Sequence, residues 1–240
     1  MVNRSERLAR IEALLGEEKL EKLKEKRVAV FGIGGVGSYA VEALVRSGIG
    51  KIDLIDGDKV VPSNLNRQII ATEKTLGMEK VDAAEQRIKE IAPDVEVRKY
   101  PLFYLPEEKE KIPFDDYDLV IDAIDTVSAK IDIILEAKKR NIPVISAMGC
   151  GNRLDPEGIQ CIDLYKTKGD PLAKVMRHEL RKRGIKDLLV VCSSKEPLKP
   201  LNEVTEEDSR RRSIPASSIF VPASAGLLIA SKALSILSDN

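Results

Sequence analysis

The sequence has no tryptophan, and its four phenylalanines and five tyrosines make up only 4% of 240 residues. A broad aromatic surface for stacking nucleobases is therefore not available, and any base bound here is held mostly by other contacts. There is one histidine, His178, and three cysteines, Cys150, Cys161 and Cys192, none of them in a Cys-x-x-Cys pair. That set argues against a structural zinc site. It is also too sparse for a disulfide scaffold and points to a reducing compartment. Net charge is absent as well: 39 basic residues balance 39 acidic ones. With 43% hydrophobic residues and no net charge, the chain can bury enough surface to fold. No apolar stretch follows Met1 to Arg7, so no signal peptide is expected. The longest apolar run, Ile219 to Leu237, is broken by Pro222, Gly226, Lys232 and several serines. A membrane span takes about 20 apolar residues, so this run is expected to stay out of the membrane and the protein to be cytoplasmic.

Short apolar runs alternate with helical patterns. Ser5 to Lys26 is charged, with Leu8, Ile11, Leu14, Leu15, Leu20 and Leu23 at helical spacing and a break at Gly16. Strands are expected at Arg27 to Phe31, Lys51 to Asp56, Val95 to Tyr100, Asp118 to Ala123 and Ile142 to Ala147. Helices are expected at Ser38 to Ser47, Lys80 to Ile91 and Ser128 to Arg140 between them. This alternation predicts an α/β fold, a doubly wound, mostly parallel Rossmann-like sheet. After about Gly149 the pattern changes. Gly158 to Leu164 and Leu188 to Cys192 read as strands, Leu172 to Arg183 as a helix, and Ser224 to Leu237 as a small-residue helix packed on the sheet. We expect one domain over 1–240: N-terminal helices in 1–26, a nucleotide-binding core in 27–150, and an α/β extension of the same sheet in 151–240. A polar, proline-containing loop at 195–218 is expected to be mobile. No internal repeat is visible.

The chemistry begins at Gly32-x-Gly34-Gly35-x-Gly37, between a strand and a helix. A helix N-terminus offers unpaired N–H groups, and glycines let the backbone approach a phosphate closely. Packing alone is the competing explanation. Asp56 ends the second strand about 20 residues on, where a carboxylate accepts from ribose hydroxyls. Asp58 taken alone reads as a turn residue. Ser63-Asn64-Leu65-Asn66-Arg67-Gln68 and then Lys80 add cations that a nicotinamide dinucleotide does not need and a triphosphate does. Asp125, past the end of the fourth strand, is placed to hold Mg²⁺ against a triphosphate, or else to cap the helix that follows.

Taken in order, these five elements resemble the adenylating superfamily of ubiquitin-activating, ThiF and MoeB proteins, over roughly residues 7 to 150. The resemblance implies that ATP is bound by Gly32, Gly34, Gly35, Gly37, Asp56, Asp58, Asn64, Asn66, Arg67, Gln68, Lys80, Asp125 and Thr126. It implies that Arg67 and Lys80 act on the phosphates, with Asp125 holding the metal. Arg7-Leu8-Ala9-Arg10 is similar to the family's basic N-terminal motif. By that likeness the enzyme is a homodimer in which Arg10 reaches the partner's nucleotide; a plain surface arginine is the alternative. The ThiF and MoeB branches usually carry two Cys-x-x-Cys pairs, and this chain has none. The stretches 122–130, 148–156, 163–167 and 170–177 resemble the tRNA threonylcarbamoyladenosine dehydratase branch instead. That extends the likeness to nearly the whole chain. It implies ATP-dependent cyclisation of threonylcarbamoyladenosine in the anticodon loop, through an acyl-adenylate.

A tRNA substrate needs a basic surface. Arg177, Arg181, Lys182 and Arg183 supply one, together with His178, and Arg210, Arg211 and Arg212 a second. Solvated charge is the competing explanation for each. Phe220 and Tyr165 are the nearest candidates for contact with a base. The rival function is adenylation of the C-terminus of a ubiquitin-like or sulfur-carrier protein, with Cys192 as its thiol and a sulfur-transfer protein as partner. Cys192 sits in the run Leu188 to Val191 and also reads as a small core residue, and Cys150 as a packing residue beside the glycines. A redox module that binds NAD is disfavoured by Arg67 and Lys80.

Overall fold

The computed structural model describes residues 3–202 and 215–239. The apolar runs form seven strands: β1 (Arg27–Phe31), β2 (Lys51–Ile55), β3 (Glu96–Tyr100), β4 (Leu119–Asp122), β5 (Val144–Ala147), β6 (Ile159–Asp163) and β7 (Leu189–Ser193). They make one sheet in the order β3-β2-β1-β4-β5-β7-β6. Every pairing is parallel except that of β6 with β7. The expected doubly wound α/β sheet is present, and its last two strands continue it.

Parallel strands covered on both faces must be apolar on both faces. Val28 and Val30 of β1 enter one core, and Ala29 and Phe31 the other. In β4, Leu119 and Ile121 oppose Val120 in the same way. The first core holds α1 (Arg4–Leu15), α2 (Glu17–Glu25), α3 (Gly37–Arg46), α4 (Lys80–Ile91) and α7 (Phe220–Asp239). The second holds α5 (Val127–Lys139), α6 (Pro171–Lys182) and a cluster of rings from Phe31, Tyr104, Phe114 and Tyr117. The few aromatics are thus spent largely on packing.

Two expectations change. The C-terminal helix starts at Phe220 rather than Ser224. Pro222 falls in its first turn, where a missing N–H leaves no helical bond unmade. The residues read as interruptions therefore lie within one 20-residue helix, long and apolar enough to cross a membrane by length and composition. Its packing gives it another role, because α7 lies along α3 and over the sheet, burying Val221, Ala225, Ile229, Ala230 and Ala233.

Of the expected mobile loop, residues 203–214 lie outside the described residues, and Arg210, Arg211 and Arg212 with them. Its described ends, 195–202 and 215–218, form neither helix nor strand. They are tied to the β5–β6 connection. Leu198 N–H donates to the Asn152 carbonyl at 2.6 Å, and Asn152 N–H to the Ala216 carbonyl at 2.6 Å.

Small residues let α7 press closely on α3. A Cβ at Gly226 would lie 2.3 Å from the Val36 carbonyl and 2.8 Å from Tyr39 Cβ. Gly226→Ala is therefore expected to destabilise the protein by about 1–3 kcal/mol through overpacking. Chemical or thermal denaturation measures this, and an unchanged midpoint would contradict the α3–α7 packing described.

Candidate functional site

The chain runs from β1 outward through β2 to β3, then returns to β4 on the other side of β1. The strand order reverses between β1 and β4, and ligands of open α/β sheets bind beyond the strand ends at such a point. Phe31 is level with both Ile55 and Asp122. The residues that follow these three strands are therefore brought to one edge.

The glycine turn leaves β1 and enters α3. A Cβ at Gly37 would stand 1.8 Å from the Gly32 carbonyl oxygen, so no side chain is tolerated there. Val36, the residue before α3, gives no side-chain cap. Within the turn, Ser38 N–H donates to the Gly34 carbonyl at 3.0 Å and Ala40 N–H to the Val36 carbonyl at 3.1 Å, so the start of α3 is closed by backbone bonds and offers an anion chiefly its dipole. Gly34 faces the Gln68 side chain, and Gly35 lies against Pro222 and the Arg67 stem. Ala123 and Ile124 pack on Gly32, which sets the β4–α5 loop and Asp125 beside the turn.

Asp56 fastens the turn to β2. Its Oδ2 accepts from Ile33 N–H at 2.7 Å, and its Oδ1 from Asp58 N–H at 2.8 Å. Burial pushes its carboxyl above the usual range, opposed by the Lys80 ammonium and by these two N–H groups. Lys80, the first residue of α4, is buried. Its Nζ lies 2.8 Å from Asp58 Oδ2 and 3.9 Å from Asp56 Oδ2. Lys80 is not a solvated helix charge, and Asp58 is not merely a turn residue, because the half-exposed Asp58 carboxylate is the partner of that buried ammonium.

Arg67 is half-buried and donates to the Ser63 carbonyl at 2.6 Å and to Asn66 Oδ1 at 3.0 Å. Asn64 is buried and accepts from Val61 N–H at 3.2 Å. Asn66 donates to the Ser217 carbonyl at 3.0 Å, joining this segment to the approach to α7. Gln68 is buried, and its Oε1 has no hydrogen-bond partner among the described residues. An orphaned acceptor beneath a glycine turn suits a ligand that brings a donor, such as a nucleoside. Asp125 is exposed, and the residue that caps α5 is its neighbour Thr126, which makes no side-chain cap bond. The N-cap position of α5 is thus Thr126, not Asp125.

Arg10 is not brought to this edge. Its helix, α1, is anchored where the strands begin: Arg4 donates to the Gly48 carbonyl at 2.6 Å, and Arg4 and Arg7 both pair with Asp94. Arg10 is exposed on that helix and reaches no nucleotide site within its own chain.

The basic helix α6 is partly neutralised from within. Lys182 and Arg183 pair with Glu179 at 3.1 and 2.7 Å, and Arg177 donates to the Thr167 carbonyl at 3.1 Å. The Arg181 guanidinium lies 5.2 Å from the Tyr165 ring centre. Both line a shallow cavity of about 370 Å³ with Ile185 and Lys186. His178 is 69% exposed, and Phe220 is exposed at the start of α7.

Two further residues were not read as site residues from the sequence. Lys130 is wholly buried and paired with Asp122 at 2.9 Å. The signal for it was its phase: it shares the buried face of α5 with Ile133, Ile134 and Ala137.

The sequence pattern of the ThiF family matches residues 6–240. The chain belongs to the ThiF family. A Bacillus subtilis member, tRNA threonylcarbamoyladenosine dehydratase, is 45% identical over 231 residues, spanning 92% of this chain and 90% of its own length. The Haemophilus influenzae protein of the same name is 42% identical over 180 residues, 75% of this chain and 69% of its own. The crystal structure of Escherichia coli tRNA N6-threonylcarbamoyladenosine dehydratase, TcdA, in complex with ATP superposes with a TM-score of 0.88. It is 32% identical, over 100% of this chain and 97% of that one.

Sulfur transfer in this family would need a reactive thiol, and none is tuned for it among the described residues. Burial, reinforced by Asp170, pushes the Cys192 thiol up to about 11. Burial, with Asp170 and Asp125, pushes that of Cys150 up to about 12. At pH 8 only about one Cys192 in a thousand is thiolate. We therefore expect Cys192 to resist iodoacetamide in the folded protein, and Cys192→Ala to keep ATP turnover within about twofold. Rapid labelling, or loss of turnover, would contradict a packing role.

Proposed function

We propose that this protein is an ATP-dependent tRNA threonylcarbamoyladenosine dehydratase, a ligase-type enzyme that forms AMP and closes a ring on its substrate. The observation that carries the reading is the gathering of the glycine turn, Asp56, Arg67, Lys80 and the Asp125 loop at one switch point, in a chain alike over its whole length to dehydratases of that name. We treat residues 1–240 as one ThiF-type adenylating domain that works in the cytoplasm without a membrane partner.

The substrate carboxylate is a poor acceptor until one of its oxygens becomes part of a good leaving group. One carboxylate oxygen attacks the α-phosphorus of ATP, the bond to the bridging oxygen breaks, and pyrophosphate leaves. The tethered carbamoyl group then attacks the activated carbonyl carbon, and AMP departs with the original carboxylate oxygen. The net change is loss of one water. The protein supplies orientation and charge neutralisation. The glycine turn and the uncapped start of α3 receive phosphate, Asp56 accepts from the ribose, and Arg67 and Lys80 face the phosphates. No enzyme nucleophile is needed, which agrees with the raised thiols.

Mg²⁺ fits this reading through the donor set. Among the described residues no three or more His, Cys, Asp or Glu groups are clustered to cage a metal. Mg²⁺ on nucleotides keeps several waters and needs only one or two carboxylates beside the phosphates. Asp125 is the residue that would hold it, and the cation would then neutralise phosphate charge.

The enzyme reading predicts AMP and pyrophosphate release stimulated by tRNA carrying the modified adenosine, and weakened steeply by salt. Arg67→Ala or Lys80→Ala lowers kcat by about 10²- to 10³-fold, the scale for removing one preorganised charge donor. Stimulation by a small carrier protein ending in Gly-Gly, with none by tRNA, would favour the rival adenylation instead and would bring in a sulfur-transfer partner.

The placement of Arg10 supports a homodimer in which it acts in trans. Arg10 is exposed on α1, away from the switch point of its own chain, so a nucleotide it contacted would be a second copy's. Mixing inactive Arg10→Ala and Arg67→Ala subunits should restore about a quarter of the activity, because only mixed dimers rebuild one intact site. Mixing after unfolding and refolding checks this: full activity in Arg10→Ala alone would place Arg10 outside the reaction, and no recovery on mixing would contradict action in trans.

A further inference from the structure

Lys130 is the one lysine of the described residues with no exposed surface at all, and it lies behind the Asp125 loop. Its ammonium donates to the Ala147 carbonyl at 2.8 Å and the Ile124 carbonyl at 3.1 Å, and it is ion-paired with Asp122 Oδ2 at 2.9 Å. These acceptors belong to different parts of the site. Asp122 ends β4, Ala147 ends β5, and Ile124 is the residue before Asp125. Asp122 also accepts from Ser146 Oγ at 2.5 Å and from Ile124 N–H at 3.4 Å. Ile124 is thus held at its carbonyl by Lys130 and at its N–H by Asp122, while its side chain packs on Gly32 of the glycine turn.

A buried ion pair is a poor way to gain stability, since a well-packed apolar pair of the same size often serves as well or better. What this pair supplies is direction. It binds the ends of two neighbouring strands to one backbone carbonyl in the middle of a loop whose ends are fixed by Ala123 N–H on the Phe31 carbonyl at 2.8 Å and Lys130 N–H on the Thr126 carbonyl at 2.9 Å. We propose that Lys130 is the positioning residue of Asp125, holding the β4–α5 loop in the one conformation that presents that carboxylate to the nucleotide phosphates. Lys130 touches no nucleotide itself. The inference rests on the proposed adenylation and on the place of Asp125 within it.

A mutant cycle tests this. Asp122→Asn with Lys130→Met removes both charges together and leaves neither buried alone. The pair is made in the parent and in Asp125→Ala, with folding checked by thermal denaturation. ATP affinity is measured by calorimetry, and kcat and KM by tRNA-dependent AMP release. In the parent, the double change should lower kcat by about 10- to 100-fold, the scale of a misplaced reacting group, and alter ATP Kd by less than about threefold. In Asp125→Ala it should lower kcat by no more than about twofold further, because the residue it acts through is gone. If the double variant does not fold, Lys130→Gln, which keeps donors without charge, takes its place in the cycle. Equal losses in both backgrounds, or a loss seen chiefly in ATP Kd, overturn the inference and leave the adenylation reading standing. Full activity in Asp125→Ala overturns the reading of the site and the inference together.

Discussion

The turn between β1 and α3 closes so tightly that Gly37 has room for no side chain against the Gly32 carbonyl. That closeness aims the N-terminus of α3 across the end of the sheet, where the positive end of the helix dipole stabilises an anion. The surrounding elements are built against this turn. Asp56 grips Ile33 N–H from the end of β2, Ala123 and Ile124 press on Gly32 from the end of β4, and Gly226 of α7 lets that helix reach the Val36 carbonyl. A shift in any of them moves that N-terminus relative to Arg67, Lys80 and Asp125.

Around this turn the strong charges are held in shielded pairs. Lys80 lies between Asp56 and Asp58, Lys130 on Asp122, and Arg153 beside Asp170 at 3.6 Å. An unpaired ion in such a place would cost several kcal/mol or shift its titration until it was neutral. Pairing keeps cations on station without that penalty. Asp56 shows the tension, since its carboxyl is pushed up by burial and drawn back by Lys80 and two N–H groups. The protein's zero net charge is therefore not an absence of electrostatics. A triphosphate entering the cleft competes for cations already desolvated and aimed.

Much of this was legible in the residues. The central strands β1, β2, β4, β5 and β7 announced themselves as short apolar runs, because a parallel strand covered on both faces has no polar alternation to display, whereas the edge strands β3 and β6 carry exposed or half-buried polar residues. Gly32 to Gly37, Asp56, Arg67 and Lys80 stood out in the sequence because the proposed phosphate and ribose contacts call for those residue types at strand ends. Tertiary contacts hid the rest. Lys130 counts as charge in composition, yet it sits in the apolar phase of α5, and only the fold brings Asp122, Ile124 and Ala147 around it. The basic run on α6 read as either an RNA surface or solvated charge, and in the fold Glu179, one turn away, pairs with Lys182 and Arg183. Pro222 read as a break in the apolar run ahead of the last helix and instead occupies that helix's first turn. Arg10 carried no hint that its helix is fastened at the opposite edge of the sheet from the nucleotide residues.

The central claim is that a substrate carboxylate oxygen is joined to the α-phosphate and leaves with AMP. The direct measurement is to place heavy oxygen in the carboxylate of threonylcarbamoyladenosine on tRNA, run one turnover with ATP and Mg²⁺, and weigh the products. The account predicts one labelled oxygen in AMP, none in pyrophosphate, and a tRNA nucleoside lighter by one water. Label in inorganic phosphate, or released to water with AMP unlabelled, would contradict it.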